Sequence, residues 1–505
     1  MRLRLCLRRV RLCLRWRRTL MKAAKIGFLS NLRARIARMG APLPQYPGPG
    51  VYHFLRAENG GQARVHLRLE EDGSGLLMVN ASRVFHLNPT AACMAFFKLQ
   101  DTPLDEAVGA LRRRFNVSKE QARRDYLELA AQIEVIARPD EHCALCELDL
   151  DVTAPFSARP SAPYRMDLAL TYRCNNNCSH CYNARPRRQP ELSTGDWLLI
   201  LDRLWEVGIP HVVFTGGEPT LRPDLPELIA HAERNGQITG LNTNGRKLKD
   251  PAYLQTLVDA GLDHVQITLE SHDAAVHDGM VQAAGAWADT VAGVRNALRT
   301  RLYVMTNTTL LQANAPALAE TLAFLAGLGV PTVGLNALIY SGKGLEVHSG
   351  LPERDLPPLL ELARAQTDAQ GQKLIWYTPT QYCHFDPVQM ELGVKGCTAA
   401  LYNMCVEPDG SVIPCQSYYQ AVGNILRDPW NAIWNHELAA SLRERRNLPL
   451  ACQACALLVE CGGGCPLARQ ANPDWKPQTV YASLPTSEGS ISKGGSTAPF
   501  SKRPL

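Results

Sequence analysis

Between Arg165 and Leu338 the sequence repeats, six times over, a short apolar run followed by an amphipathic stretch, and few architectures accommodate that rhythm. The runs are Met166–Thr171, His211–Phe214, Ile238–Asn242, His264–Leu269, Leu302–Thr308 and Thr332–Leu338. After the first of them, Trp197, Ile200, Leu201, Leu204 and Trp205 mark one face of a helix at i, i+3, i+4 spacing. Strands alternating with helices imply a parallel sheet with right-handed crossovers. Six units predict an α/β fold built on a partial (β/α)6 barrel, with its site at the carboxyl ends of the strands.

The cysteines sit where that rule places a site. Of sixteen, ten fall in two neighbourhoods, Cys174 to Cys181 and Cys397 to Cys465, with Cys383 just ahead of the second. No secretory signal precedes them, so a reducing, cytoplasmic setting is expected, in which clustered thiols serve as metal ligands more often than as disulfides. Directly after the first run comes Cys174-x3-Cys178-x2-Cys181, in full CNNNCSHC. Three thiolates on a polar loop suit a metal. Closed structural zinc needs a fourth ligand, whereas a [4Fe–4S] cube held by three leaves one iron open. At the end of the second run stands Thr215-Gly216-Gly217-Glu218-Pro219. Its glycines permit close backbone approach, and Glu218 is able to accept hydrogen bonds from an ammonium group.

CxxxCxxC with His180 before its last cysteine, followed by GGEP one strand later, resembles the signature of the radical S-adenosylmethionine (SAM) superfamily. The resemblance implies that Cys174, Cys178 and Cys181 hold a [4Fe–4S] cluster whose open iron is chelated by SAM. It further implies that Gly216, Gly217 and Glu218 contact the SAM amino group. One electron, from a donor such as flavodoxin or ferredoxin, would then release methionine and a 5′-deoxyadenosyl radical. Thr268, Glu270 and Asn307, at later strand ends, are either ribose contacts or ordinary polar strand termini.

Farther on, the chain reads Cys397-x12-Gly410-x4-Cys415, then Cys452-x2-Cys455-x5-Cys461-x3-Cys465. This resembles the SPASM extension of radical SAM enzymes and implies one or two auxiliary [4Fe–4S] clusters. By that resemblance Cys397, Cys415 and Cys465 hold the inner cluster and Cys452, Cys455 and Cys461 the outer. Cys383 is the chosen fourth ligand of the inner one, with Cys405 as the competitor or else a buried strand thiol. The family pattern ends with a further cysteine, and none follows Cys465 here. A four-thiolate zinc finger over Cys452 to Cys465 is the competing reading.

Ahead of the barrel, residues 51 to about 90 alternate as strands do, with turn signals at Asn59-Gly60-Gly61 and Asp72-Gly73. Leu104, Val108, Leu111 and Phe115 recur at helical spacing, and Ser118-x-x-Gln121 reads as a capping box opening a second helix. A winged-helix-like unit is the expectation. With HLNPTAACMAFF, it resembles the PqqD-type domain, which binds a peptide leader along a sheet edge. Lys119, Arg123 and Arg124 support the alternative of a nucleic-acid-binding winged helix. The linker at Thr153–Pro163 is expected to tether this unit so that it feeds the barrel mouth. Cys143-x2-Cys146 is either a metal pair or two ordinary thiols.

The net charge of +6 does not argue for nucleic acid, because the first twenty residues hold eight arginines and no acid, and the rest is near neutral. That leader lacks an apolar h-region; the preferred expectation is that Met21 is the true start, with a membrane-surface or nucleic-acid arm and a transit-like peptide as the alternatives. No run of 18 apolar residues predicts a membrane span. The expected organisation is therefore a basic leader and linker (1–50), a PqqD-like domain (51–137), a linker (138–163), a radical SAM partial barrel (164–345), a SPASM domain (346–470) and a disordered tail (471–505). This order resembles the maturation enzymes of pyrroloquinoline quinone and sactipeptides, implying modification of a peptide or protein substrate by hydrogen abstraction. The alternatives are tetrapyrrole side-chain modification by the same chemistry, or a non-catalytic iron–sulfur or zinc protein. Neither a nucleic-acid nor a membrane partner is expected.

Overall fold

A computed structural model of the chain describes residues 47–58, 61–80, 83–137, 156, 159–184 and 190–471. The arginine-rich leader with Met21, the Cys143/Cys146 pair, most of the linker and the Ser/Gly-rich tail lie outside the described residues.

The amino-terminal unit opens with β1 (Gly50–Glu58), β2 (Gly61–Leu69), β3 (Gly75–Val79) and β4 (Arg83–Leu87), paired antiparallel in chain order. Three helices follow, α1 (Pro89–Leu99), α2 (Leu104–Arg114) and α3 (Lys119–Ile136). The arrangement is thus a four-stranded meander with three helices after it, rather than short helices flanked by strands. The periodicity does not reveal α1, because eight of its eleven residues are buried and no polar face interrupts the apolar run. Its start is nonetheless written locally: Asn88 Oδ1 accepts from Ala91 N at 2.8 Å, with Pro89 at the first helical position. At α3 only half of the forecast box forms. Ser118 Oγ caps Gln121 N, while the Gln121 amide turns to Asp125.

All six forecast runs are strands: β5 (Arg165–Thr171), β6 (His211–Gly216), β7 (Ile238–Thr243), β8 (His264–Thr268), β9 (Tyr303–Thr309) and β10 (Thr332–Asn336). They pair in parallel, each with the next. Helix α4 (Thr194–Glu206) begins in a reciprocal Ser193/Asp196 capping box and buries Trp197, Ile200, Leu201 and Leu204 against the sheet. The sheet extends beyond the six. A further strand, β11 (Lys373–Trp376), joins β10 in parallel, and β12 (Asn403–Val406) lies parallel to β5 on the opposite side. Short antiparallel strands β13 (Ser411–Ile413) and β14 (Gly423–Asn424) complete ten, with β11 and β14 at the two ends. The sheet therefore does not close on itself: its two edges are β11 and β14.

Alternation along the strands separates two environments. Met166, Leu168 and Leu170 of β5 belong to the main apolar core. His211, Val213 and Thr215 of β6, with Tyr303, Met305, Asn307 and Thr309 of β9, line an interior cavity of about 1940 Å³. Such polar residues leave the lumen unfilled, unlike the layered aliphatic core of a closed eight-stranded barrel.

The amino-terminal unit is docked, not loosely tethered. Arg64 on β2 pairs with Glu233 (2.5 Å) and Asp263 (3.1 Å). Arg68 donates to the carbonyls of Ala162 and Gly208, and His66 Nε2 lies 2.7 Å from Gly236 O. Gly208, Gly236 and Asp263 immediately precede β6, β7 and β8, so the unit covers the amino-terminal end of the barrel, opposite the cysteine loops.

This interface carries a pH dependence. His66 is 1% exposed, and burial is the main cause that pushes its pKa down to about 3; His53 and Arg64 act in the same direction while the Gly236 carbonyl opposes them. With a depressed folded pKa, its contribution to stability is present above the unfolded value of about 6.5 and is lost as pH falls towards 3, since only the unfolded chain takes up the proton. From pH 7 to pH 5 this single group should remove about 2 kcal/mol of unfolding free energy. Denaturant titrations at the two pH values check it, and the expectation fails if His66→Gln shows the same loss as the wild type.

Candidate functional site

The CNNNCSHC loop leaves the carboxyl end of β5 and is held by backbone contacts from several neighbouring segments. Gly217 N donates to Thr171 O (2.7 Å) and Glu218 N to Arg173 O (2.9 Å). Gly216 adopts φ +135°, and a Cβ there would lie 2.2 Å from Thr171 O, so only glycine lets the β6 loop rest on the β5 loop. Asn177 N and Ser179 N donate to Val281 O and Met280 O, Lys343 N donates to Cys181 O, and the Arg246 guanidinium donates to Asn175 O. The three asparagines are occupied as well: Asn175 accepts from Asn244, Asn176 from Arg246, and Asn177 from Lys343. With these groups engaged, Cys174, Cys178 and Cys181 line the cavity.

Burial raises the Cys174 thiol to about 11, with Glu218 and Cys181 adding to it, and raises Cys178 further, with Glu270, Cys181 and Cys174 adding. Thiols that oppose one another's ionisation become ligands when a metal group supplies the positive charge and displaces their protons. That donor set fits an iron–sulfur cluster. His180 fits it too. Its Nε2 lies 3.0 Å from Glu270 Oε1, and its buried Nδ1 has no partner among the described residues.

Glu218 stands behind the glycines rather than at the cavity. It is 0% exposed, and its carboxylate accepts from Thr220 N (3.1 Å), Thr220 Oγ1 (2.5 Å), Thr243 Oγ1 (2.7 Å) and Asn244 N (2.8 Å). These bonds tie the β6 loop to the end of β7. Both carboxylate oxygens are engaged within the protein, so the geometry here is that of a positioning residue. Thr268, Glu270 and Asn307 all line the cavity. Glu270 has a second task that spacing did not suggest: Oε2 accepts Thr309 N at 2.8 Å while Oε1 holds His180.

The second cysteine field divides by mutual electrostatic influence. Burial raises Cys397 to about 11, with Cys465 adding, and raises Cys415 to about 12, with Cys397 and Cys465 adding. Burial also raises Cys465. These three line the same cavity as the first trio. Cys452 is raised by burial and then by Cys461 and Cys455, while Cys461 is raised by burial with Cys455 adding. None of that second group lines the cavity. Cys383 follows Tyr382, whose backbone N–H donates to Cys461 Sγ at 3.4 Å. Cys405 is a fully buried thiol of β12, packed with Ala169 and Ile413. Among the described residues no three His, Cys, Asp or Glu converge closely enough to hold a single metal ion.

A polar seam joins the two cysteine regions. Tyr182, next to Cys181, donates to Gln416 Oε1 (2.6 Å), and Gln416, next to Cys415, donates to the buried Asp167 (2.9 Å). Tyr172 donates to Glu407, and Tyr419 donates to Asn183 Oδ1 (2.6 Å). No motif marks these residues. Among the described residues no helix is long and apolar enough to cross a membrane.

Comparison with known proteins accords with this geometry. Residues 168–325 match the radical SAM superfamily and residues 397–456 the iron–sulfur cluster-binding SPASM domain. The chain is 31% identical to the PqqA peptide cyclase of Gluconobacter oxydans over 61% of its own length and 86% of that enzyme. It is 27% identical to the AdoMet-dependent heme synthase of Methanosarcina barkeri over 64% of its length and 97% of that one. The fold is similar to that of Streptococcus suis SuiB bound to its precursor peptide SuiA, with a TM-score of 0.59 and 17% identity over 83% of this chain and 96% of that one.

Proposed function

The chain belongs to the radical SAM superfamily and carries a SPASM domain, and from that membership we propose that it modifies a ribosomally made peptide or a protein by hydrogen abstraction inside the barrel. Its cofactors are those of the family: a SAM-binding [4Fe–4S] cluster, SAM itself and auxiliary iron–sulfur clusters. When bound and reduced, they supply a 5′-deoxyadenosyl radical that takes a hydrogen atom from the substrate.

Cys174, Cys178 and Cys181 would hold the SAM-binding cluster. Gly216 and Gly217 would leave room for the SAM amino end, with Glu218 fixing the loop that carries them. Cys397, Cys415 and Cys465 would hold the inner auxiliary cluster, with Cys383 as fourth donor, and Cys452, Cys455 and Cys461 the outer one. Glu270 orients His180, and the Tyr182–Gln416–Asp167 bonds keep the inner thiols in the wall of the chamber that holds the first trio. The electron donor would be a small protein such as flavodoxin or ferredoxin.

The observation that carries the peptide reading is the 31% identity to a peptide cyclase along 86% of that enzyme. The cavity supports it. Met78 and Arg83 of the amino-terminal sheet line the same space as both thiol trios, so a segment held by that sheet is continuous with the reaction site. Tetrapyrrole modification is the second reading, favoured by the heme synthase relative. Co-expression with candidate short peptides, followed by mass spectrometry, tests the proposal. A loss of hydrogen mass or a new cross-link dependent on Cys178 is expected. Unchanged peptides together with turnover of a tetrapyrrole would reject it.

A further inference from the structure

Strand β10 has no side chain at Gly334, and an aromatic ring from another strand occupies the space. A Cβ on Gly334 would lie 2.6 Å from Tyr377 Cε2 and 3.1 Å from Asn307 Oδ1, so the Tyr377 ring rests on β10 beside the Asn307 amide. Asn307 is paired in register with Thr268, the last residue of β8. The ring therefore stands at the carboxyl ends of the strands, where the cysteine loop leaves β5.

Two further side chains adjoin it. Tyr377 Oη donates to Met305 Sδ at 3.6 Å, and Tyr303 stands two residues before Met305 on the same side of β9. Burial is the main cause that pushes the Tyr377 hydroxyl up to about 12, with Arg165 opposing and Tyr303 adding. Arg165 is itself paired with Asp167 at 3.1 Å. Tyr377 and Tyr303 are nonetheless 37% and 40% exposed, and both line, with Met305, the cavity that holds the first thiol trio. A tyrosine open to bulk water would keep a pKa near the usual value of about 10. The uncovered part of Tyr377 thus faces the chamber. One side of its ring is held against a glycine, and two tyrosines and a thioether form a continuous wall. Such a wall gains most from another ring, offset-stacked or edge-on, with the sulfur adding to the contact.

We propose that Tyr377, with Tyr303 and Met305, forms an aromatic shelf that binds a planar side chain of the peptide segment to be modified, which makes Tyr377 a specificity-determining residue. This rests on the peptide reading above and narrows it: the target segment carries Phe, Tyr or Trp at or beside the modified position.

The reconstituted holoenzyme with SAM would be dialysed to equilibrium against two short Gly/Ser peptides with one central residue, phenylalanine in the first and cyclohexylalanine in the second. The saturated ring is similar in size and more apolar, so a preference for phenylalanine reports ring–ring contact rather than burial. The phenylalanine peptide should bind about fivefold more tightly. That preference should vanish in Tyr377→Leu, persist in Tyr377→Phe and shrink in Gly334→Ala, whose added Cβ displaces the ring. Iron and sulfide content confirms intact clusters, and Gly334→Ala carries the test if Tyr377→Leu does not retain them. Equal affinity of the two peptides, or no binding of either, overturns the shelf. So does a Tyr377→Leu protein in which SAM affinity falls while the preference remains, because the ring would then serve SAM. A co-expressed peptide that is modified despite equal affinities removes the shelf and keeps the peptide reading. Displacement of the phenylalanine peptide by a porphyrin that alone is turned over overturns both the proposed occupant and that reading.

Discussion

Replacing Cys174, Cys178 or Cys181 singly by alanine is expected to end SAM cleavage while leaving iron at the carboxyl-terminal cysteines. The three thiols stand on one loop and line one cavity, and Cys181 adds to the burial that raises the pKa of both Cys174 and Cys178, so the three are read as a single donor set. On the proposed function, that set would hold the cluster that meets SAM. Losing it forfeits the whole catalytic acceleration, ~10⁶-fold or more for enzymes generally. The measurement is release of 5′-deoxyadenosine under dithionite after anaerobic reconstitution, read beside iron and sulfide content. Wild-type release by any one of the three variants would remove the loop from the chemistry.

The second large effect is expected at Glu218, and on stability as well as activity. Its carboxylate is fully buried and receives bonds from Thr220, Thr243 and Asn244. Glu218→Ala leaves those donors unanswered at about 1–3 kcal/mol each, partly relieved by water, for a net loss of about 3–5 kcal/mol. The β6 loop would then lose its tie to β7, and Gly217 its fixed place under Arg173, so SAM cleavage should fall with it. Denaturant unfolding of the cluster-free protein separates this from a ligand contact. A residue that merely touched SAM would change that stability by no more than about 0.5 kcal/mol.

Local chemistry explains why so much was legible beforehand. All six barrel strands appear within a few residues of their apolar runs, because a strand buried between helices and lumen must be read as a short apolar block. The CxxxCxxC and GGEP segments lie on consecutive strand ends because the parallel topology puts every such end on one face. What escaped notice has equally definite causes. Helix α1 has no polar face for periodicity to detect. Strand β11 is four residues and β12 four, too short for alternation to register. For Cys405 the sequence left a cluster ligand and a buried strand thiol both open, and its full burial beside Ala169 and Ile413 is what favours the second.

The sequence by itself determined the family, through motifs that are local in the chain: three thiols within eight residues fall on one loop however the remainder folds, and a second cysteine field follows at SPASM spacing. It also determined the α/β class, through a periodicity that depends on near neighbours. The tertiary structure alone decided which groups face one another across the chain. Tyr182 meets Gln416 from 234 residues away, and Arg64 reaches Glu233 from 169. It placed the amino-terminal sheet against the amino-terminal ends of the barrel strands and withdrew Glu218 behind its glycines. Contacts of that kind depend on how strands twist, stack and leave gaps. No single segment carries that information, because each partner's side chain is polar for a reason located elsewhere in the chain.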